Sequence, residues 1–110
     1  LTLAAQIDYV FRAMIADDNA HKVKDTNVPA HAIPTDLSTA LTWANDVKSK
    51  YNTHIASTTY HYTADATNTI AAVNATDQTS LNTLLNELKT DMTAHIAGAP
   101  AAHGIALVGP

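Results

Sequence analysis

The sequence contains no cysteine, only three glycines and four prolines, and one residue each of tryptophan and phenylalanine. Without cysteine the chain has no disulfide, no iron–sulfur cluster, no c-type haem attachment and no thiolate zinc site. Positive charge is also scarce, because six lysines and arginines stand against ten acids, for a net charge of −4, and they form no basic run. The sequence therefore offers no electrostatic site for a phosphate backbone, and we expect no nucleic-acid partner.

Long hydrophobic runs are missing too. No window approaches the ~20 apolar residues of a membrane-spanning helix, and no charged-then-apolar leader opens the sequence, so we expect neither feature. Hydrophobic residues form 46% of the 110 residues, but alanine supplies about two fifths of them, and alanine and threonine together make up about a third of the chain. Such a composition supports one domain with a modest core. We therefore expect some apolar surface to be buried between copies of the chain, in a homo-oligomer.

What the sequence does contain is helical periodicity. In the second of the periodic stretches the apolar face carries Leu37, Val47 and Tyr51, Trp43 lies on its flank, and Thr35 or Asp36 is the expected N-cap. We predict an all-α chain whose three main amphipathic helices are joined by long ordered arms. The predicted helices cover residues 2–20, 36–56 and 77–97.

The connections between these helices are unusually long. Residues 22–35 contain Val28-Pro29 and Ile33-Pro34, and each proline favours extended geometry in the residue before it. The stretch from Ser57 to Thr76 is rich in threonine, alanine and asparagine. A structureless loop of that length is uncommon in a compact domain. We therefore expect it either to fold locally or to dock on a neighbouring subunit.

The chain also repeats itself. Residues 35–57 align without a gap on residues 76–98, and this alignment superimposes His54 on His95. A weaker match over residues 4–21 places His21 on His54. Self-similarity of this kind indicates stacked supersecondary units. We predict a single helical domain, residues 1–110, whose unit is one helix followed by one histidine-bearing arm.

All six histidines fall where a predicted helix passes into its arm, two at each place. Three neutral imidazoles that converge on one point suit Zn²⁺, Ni²⁺ or a similar ion, and six could complete an octahedron. The alternative is that each histidine caps helix carbonyls or forms hydrogen bonds across the bundle. The predicted metal ligands are His21, His54 and His95 at the helix ends, and His31, His61 and His103 in the arms.

Catalysis is not expected. Ser57, near His54 and His61 and followed by Asp65, has the residue types of a nucleophilic triad. The surrounding sequence has no strained elbow and no glycine-lined oxyanion hole. We therefore predict that the protein is not an enzyme.

One phrase resembles a known group of proteins. His54 and His61, followed by Asp65 and Asn68, have the spacing H-x(6)-H-x(3)-D-x(2)-N, and the later helix reads LNTLLNELKTDMTAHIA. Both are similar to phrases in small virion-associated proteins of tailed bacteriophages, over about residues 45–97. The resemblance implies a structural or decoration subunit of a virion or similar extracellular assembly, in contact with itself and with other particle subunits. The alternative function is a small histidine-based metal-binding helical module.

Overall fold

The computed structural model describes residues 2–16, 24–61 and 64–97. Each of its helices packs against the other two, and the described residues contain no β-strand, so the predicted all-α class is confirmed. In this part of the chain no helix has both the length and the apolar character needed to cross a membrane. The helices are α1 Thr2–Ile15, α2 Leu37–Ala56 and α3 Gln78–Ala97.

Helices α2 and α3 both begin with a capping box. The Asp36 carboxylate accepts a 2.9 Å hydrogen bond from the Thr39 amide, and the Thr39 hydroxyl accepts one from the Asp36 amide at 3.2 Å. In α3 the Asp77 carboxylate accepts from the Ser80 amide at 2.8 Å, and the Ser80 hydroxyl accepts from the Asp77 amide at 3.0 Å. These capping boxes satisfy amides that lack a helical partner. Of the two N-caps expected for α2, the structure selects Asp36.

Helix α1 ends earlier than predicted. The sequence predicts a helix to about residue 20, whereas α1 ends at Ile15 and Ala16 lies in a turn. Residues 17–20 are outside the described part of the chain. Two aspartates and an asparagine follow Ala16, and these residues favour caps and turns over helix interiors.

The core corrects the expected position of Trp43. Its side chain is fully buried rather than placed on the flank of α2, and its indole N–H donates a 3.0 Å hydrogen bond to Asp8 of α1. A buried indole needs such an acceptor, and only the packing of α1 on α2 supplies it. Leu37, expected on the inward face, is instead 42% exposed. The buried apolar residues are Ala4, Ile7, Phe11, Met14, Ile15, Ala40, Trp43, Ala44, Val47, Tyr51, Ile55, Ile70, Ala75, Leu81, Leu84, Leu85, Leu88 and Met92.

The stretch between α2 and α3, here called the second connecting segment (residues 57–61 and 64–77), folds locally. The Asn52 side chain accepts from the Ile70 amide at 2.8 Å and donates to the Ile70 carbonyl at 3.2 Å. Asn45 holds Ala75 in the same two-sided way, at 2.7 and 3.0 Å. Of the two expected outcomes, local folding or docking on a neighbour, the structure has the first. The first connecting segment is defined as residues 24–36.

Candidate metal centre

Three of the predicted ligands come together where α2 and α3 end. One ring nitrogen of each of His54, His61 and His95 lies within 4.8 Å of the others. The three rings meet edge to face, with centroids 4.5, 5.4 and 5.8 Å apart. Their relative exposures are 0%, 0% and 1%. The described chain thus buries a cluster of three imidazoles.

Helix ends place two of these rings, and a turn places the third. His54 and His95 occupy the last turns of α2 and α3, on the buried face of each helix. Ser57 is the C-cap of α2, and its amide donates to the His54 carbonyl at 3.1 Å. A turn over residues 58–60 follows, and it brings His61 back so that its Nδ1 donates to the Ser57 carbonyl at 2.9 Å. The end of α2 therefore contributes two of the three rings.

The two helix-end histidines are held by aspartates from the connecting segments. His54 Nδ1 lies 2.8 Å from an oxygen of Asp25, and His95 Nδ1 lies 2.8 Å from an oxygen of Asp65. Asp25 belongs to the first connecting segment and Asp65 to the second. Each connecting segment thus reaches the histidine of the helix that follows it.

The two aspartates are placed by the same backbone hydrogen bond. The Asp25 amide donates to the Ile15 carbonyl, and the Asp65 amide donates to the Ile55 carbonyl, both at 2.8 Å. Each bond joins a connecting segment to the end of the helix that precedes it. Each hydrogen bond thus holds its aspartate beside the end of the preceding helix.

These backbone contacts also change the alignment of α1 with the later repeats. The sequence match placed His21 on His54. When the two aspartates are superimposed instead, His21 falls on His61. The alignment that superimposes the aspartates therefore pairs His21 with His61 and not with His54.

The charge state of Asp65 follows from its surroundings. Partial burial raises the pKa of its carboxyl group, but donors from Asn68, His95 and Thr67 outweigh burial and lower the pKa to about 2. Asp65 is therefore ionised at neutral pH. As an anion it accepts the proton-bearing Nδ1 of His95.

Aromatic rings enclose the cluster. Tyr60 stacks on His54 at 6.1 Å, and Phe11 meets the same ring edge to face at 6.5 Å. Tyr51 meets His95 edge to face at 6.2 Å. Burial, with the nearby Asp65 and Asp91 charges, raises the pKa of Tyr51, whose hydroxyl donates to the Asn68 carbonyl at 2.9 Å. Aromatic side chains therefore pack against His54 and His95, beside the oxygen acceptors of their Nδ1 atoms.

The other predicted ligands are placed differently. His31 is exposed in the first connecting segment and is not part of the cluster. His21, predicted as the leading third ligand, and His103 lie outside the described residues. In the part of the chain that is described, the third ring of the cluster is His61.

Sequence reasoning missed the two aspartates as histidine partners. Asp65 entered the predictions only as a triad residue type and as part of the H-x(6)-H-x(3)-D-x(2)-N phrase, and Asp25 was not singled out. A signal was present, because Asp25 and Asp65 each follow a histidine by four residues and an isoleucine by ten. That recurrence indicates a shared role better than either aspartate alone.

Comparisons with known proteins assign the chain to no family. No protein-family model and no curated protein matches the sequence, and no solved structure matches the chain. The resemblance to virion-associated phage proteins stays a prediction, and a proposal about function has to come from the geometry of the site.

Proposed function

We propose that the protein is a small structural metal-binding module, which holds one divalent transition metal ion, Zn²⁺ foremost, through Nε2 of His54, His61 and His95. The observation that carries the proposal is the convergence of three fully buried imidazoles. Every one of these rings has its Nδ1 engaged by an oxygen acceptor outside the cluster.

The acceptors fix the tautomers. A backbone carbonyl such as that of Ser57 can only accept, so His61 carries its proton on Nδ1. The ionised Asp65 imposes the same tautomer on His95, and the Asp25 carboxylate does so on His54. A neutral imidazole protonated at Nδ1 has its lone pair at Nε2. Nε2 is therefore the ligand atom of each ring, and all three Nε2 atoms are buried.

The spacing fits a small metal ion. Zinc binds imidazole nitrogen at about 2.0–2.1 Å in tetrahedral geometry, which places two ligand nitrogens roughly 3.3 Å apart. The ring nitrogens here lie within 4.8 Å of one another. Binding an ion would draw these nitrogens closer together, while the Nδ1 hydrogen bonds orient the rings. The site is thus close to the geometry that zinc requires.

The outer hydrogen bonds are those expected around a metal. Metal-bound histidines almost always donate the other ring N–H to a carboxylate, a backbone carbonyl or water, which orients the ring and raises its basicity. Here Asp25, Asp65 and the Ser57 carbonyl provide all three acceptors within 2.9 Å.

Charge balance supports a cation at the centre. A divalent ion among three neutral imidazoles offsets the carboxylates of Asp25 and Asp65. In the alternative, His54 and His95 are both protonated and form ion pairs with these aspartates. Two imidazolium rings would then lie 5.8 Å apart in the protein interior, and like charges at such a distance disfavour one another.

Burial indicates a structural role for the metal. Side chains that are at most 1% exposed keep the three ligands away from solvent. Three histidines leave the fourth position of a tetrahedral ion without an assigned ligand among the described residues, so the structural role is inferred from burial and from the parts of the chain that the ion would join. The ligands come from the ends of α2 and α3 and from the segment between them, so a bound ion would join three parts of the chain. Its binding energy would add to the folding energy. The proposal includes no enzymatic activity.

We also propose the role that the resemblance implies, namely that the protein is a homo-oligomeric structural or decoration subunit of a phage virion or similar extracellular assembly. A metal that stabilises a chain with a modest core suits such a subunit. Light scattering of the purified protein tests the setting. A discrete oligomer is expected, and a monomer at every concentration would contradict it.

The metal proposal is tested by titrating the protein with Co²⁺, whose absorption reports tetrahedral nitrogen coordination, and by elemental analysis after equilibration with Zn²⁺. We expect one ion per chain, lost in His61→Asn and retained in the matched control His31→Asn, which alters an exposed histidine outside the cluster. The variants His21→Asn and His103→Asn test the remaining predicted ligands. Absence of bound metal, or equal loss in His61→Asn and His31→Asn, would overturn the proposal.

A further inference from the structure

The two connecting segments lie in the grooves between successive helices. In the first groove, Arg12 of α1 donates to the Pro29 carbonyl at 3.2 Å, and Asp46 of α2 accepts from the Ala30 amide at 2.7 Å. In the second groove Asn52 of α2 holds Ile70 from one side, as described above. Glu87 of α3 accepts from the amides of residues 71 and 72 at 2.6 and 3.1 Å from the other side.

These contacts come from equivalent positions. Arg12 lies three residues before Ile15, and Asn52 lies three residues before Ile55. These two isoleucines are the ones whose carbonyls accept from the amides of Asp25 and Asp65. Arg12 and Asn52 each bind the connecting segment that follows their own helix. Asp46 and Glu87 superimpose when residues 35–57 are aligned with residues 76–98, and each binds the segment that precedes its own helix. Each of the two grooves is therefore built from one position on the helix before the segment and one on the helix after it.

A third groove, between α3 and α1, has residues at the same two positions. Thr93 of α3 corresponds to Asn52, and Gln6 of α1 corresponds to Asp46. Lys89 corresponds to Lys48, whose ammonium group donates to the Ala72 carbonyl at 2.6 Å in the second groove. The third groove has a volume of about 200 Å³, and its lining includes these three residues together with Ile7, Val10 and Met92.

We propose that this third groove binds the segment Ile105–Val108 of the same chain, as the second groove binds Ile70–Val73. The two segments read Ile-Ala-Leu-Val and Ile-Ala-Ala-Val. Ile105–Val108 lies outside the described residues and follows α3 in the sequence, as Ile70–Val73 follows α2, but sooner: Ile105 is eight residues after Ala97, and Ile70 is fourteen residues after Ala56. Seven residues separate Ala97 from Ile105, and they can reach roughly 25 Å, whereas Thr93 lies only about 6 Å back along α3 from Ala97.

The second groove identifies the residue that anchors the segment. Ile70 is 4% exposed and belongs to the core, whereas Val73 is 75% exposed. By equivalence Ile105 inserts between the apolar side chains of the third groove, and Val108 remains at the surface. Recognition then combines one buried aliphatic side chain with backbone hydrogen bonds to polar groups on both helices. This occupancy does not depend on a metal.

Cysteine crosslinking tests the occupancy in the full-length chain, which has no cysteine of its own. In the second groove Ala71, the second residue of its segment, contacts Glu87. Ala106 is the second residue of Ile105–Val108, and Gln6 is the position in α1 that corresponds to Glu87 in α3. Ala106 is therefore the expected neighbour of Gln6. We expect the pair Gln6→Cys and Ala106→Cys to be joined within one chain by a short bismaleimide. The control pair Gln78→Cys and Ala106→Cys, with an exposed partner at the start of α3, should not be joined.

Each outcome of the crosslinking decides the proposal. Crosslinking within one chain for the Gln6 pair alone supports it. A crosslinked dimer would assign the groove to the same segment of a second copy and overturn occupancy within the chain. No crosslink, or equal crosslinking in both pairs, would also overturn it.

A second measurement compares Ile105→Ser with Val108→Ser in thermal melts of the full chain. We expect Ile105→Ser to lower the Tm by roughly 5 °C or more and Val108→Ser to leave it nearly unchanged. Equal effects of the two substitutions would contradict the anchoring role of Ile105. Both variants keep the three cluster histidines. These melts therefore test the occupancy of the third groove independently of the metal proposal.

Discussion

The pairs Asp25–His54 and Asp65–His95 have the same geometry in different surroundings. Both have a 2.8 Å contact between Nδ1 and a carboxylate oxygen. The Asp25 side chain is 3% exposed and that of Asp65 is 10% exposed. The other oxygen of Asp25 accepts from the amide and the side chain of Asn27. Asp65 accepts from the Thr67 amide and from both the amide and the side chain of Asn68.

This difference shows how one repeated contact is stabilised in two ways. The more buried Asp25 accepts from its histidine and from one residue of its own segment, Asn27. Asp65 is held by its own loop, whose donors lower its pKa. Since each aspartate precedes the helix whose histidine it binds, each pair links two successive units of the chain. The predictions below test what the pairs share and then where they differ.

Removal of the metal should have the largest effect, because both pairs support the same site. A structural zinc ion can contribute on the order of 10 kcal/mol at neutral pH. We expect a strong chelator to lower the Tm of the wild-type protein substantially and to leave His54→Asn and His95→Asn nearly unchanged, since asparagine is a poor zinc ligand. A wild-type melt that ignores prolonged chelation would contradict the shared metal site.

Truncation of the aspartates should separate the two pairs. Asp25→Ala and Asp65→Ala should each weaken metal affinity by about 10- to 100-fold. In metal-free protein Asp25→Ala should cost about 3 kcal/mol and Asp65→Ala about 1–2 kcal/mol, since the Asp25 pair is the more buried. Metal titration and urea unfolding measure these quantities.

Asp91→Ala is the matched control for those truncations. Burial and the neighbouring Glu87 and Asp65 charges raise the pKa of Asp91, so its removal should be neutral or slightly stabilising. Equal unfolding free energies for Asp25→Ala and Asp65→Ala would contradict the assigned difference between the two pairs.

Acid should reveal the contribution of Asp65. Its pKa is lowered from 3.8 to about 2 in the folded chain, so the unfolded chain binds the proton first as the pH falls. The stabilisation is fully present above about pH 4 and is lost between about pH 4 and 2, with a size of roughly 1–2 kcal/mol after allowance for solvent screening. Unfolding free energies of wild type and Asp65→Asn should converge over that range. Parallel curves would show that the carboxylate does not stabilise the fold.

The smallest effect concerns the part of the second connecting segment far from the histidines. Asn45→Ala removes two hydrogen bonds to Ala75 and should cost about 1–2 kcal/mol without changing metal affinity. Ser49→Ala, on the exposed side of α2, is the control and should have almost no effect. A fall in metal affinity for Asn45→Ala would show that this anchor also positions the cluster.

Local sequence patterns predicted α2 and α3 well, because helix capping and apolar periodicity depend on residues that are close together in the sequence. The bounds of α2 and α3 agree with the predicted 36–56 and 77–97 to within one residue, since capping boxes and apolar periodicity act over a few residues. The internal repeat placed His54 and His95 at equivalent helix ends. The all-α class and two rings of the cluster were therefore predictable.

The tertiary structure alone decided which groups meet those rings. His54 and Asp25 are 29 residues apart in the sequence, and His95 and Asp65 are 30 apart. These contacts depend on the paths of the connecting segments, which anchor to helix carbonyls and to side chains on neighbouring helices. The burial of Trp43 likewise depends on Asp8, 35 residues away.

The sequence by itself determined where α2 and α3 begin and end, most of the apolar positions on their inward faces, and the recurrence of histidines at helix ends. The tertiary structure brought His61 to His54 and His95 and supplied Asp25 and Asp65 as acceptors. The physical reason is the distance along the sequence over which each kind of interaction acts. Helix propensity, capping and periodicity are set by residues within a few positions of one another. A buried polar cluster instead requires partners from distant parts of the chain, and the packing of the helices selects them.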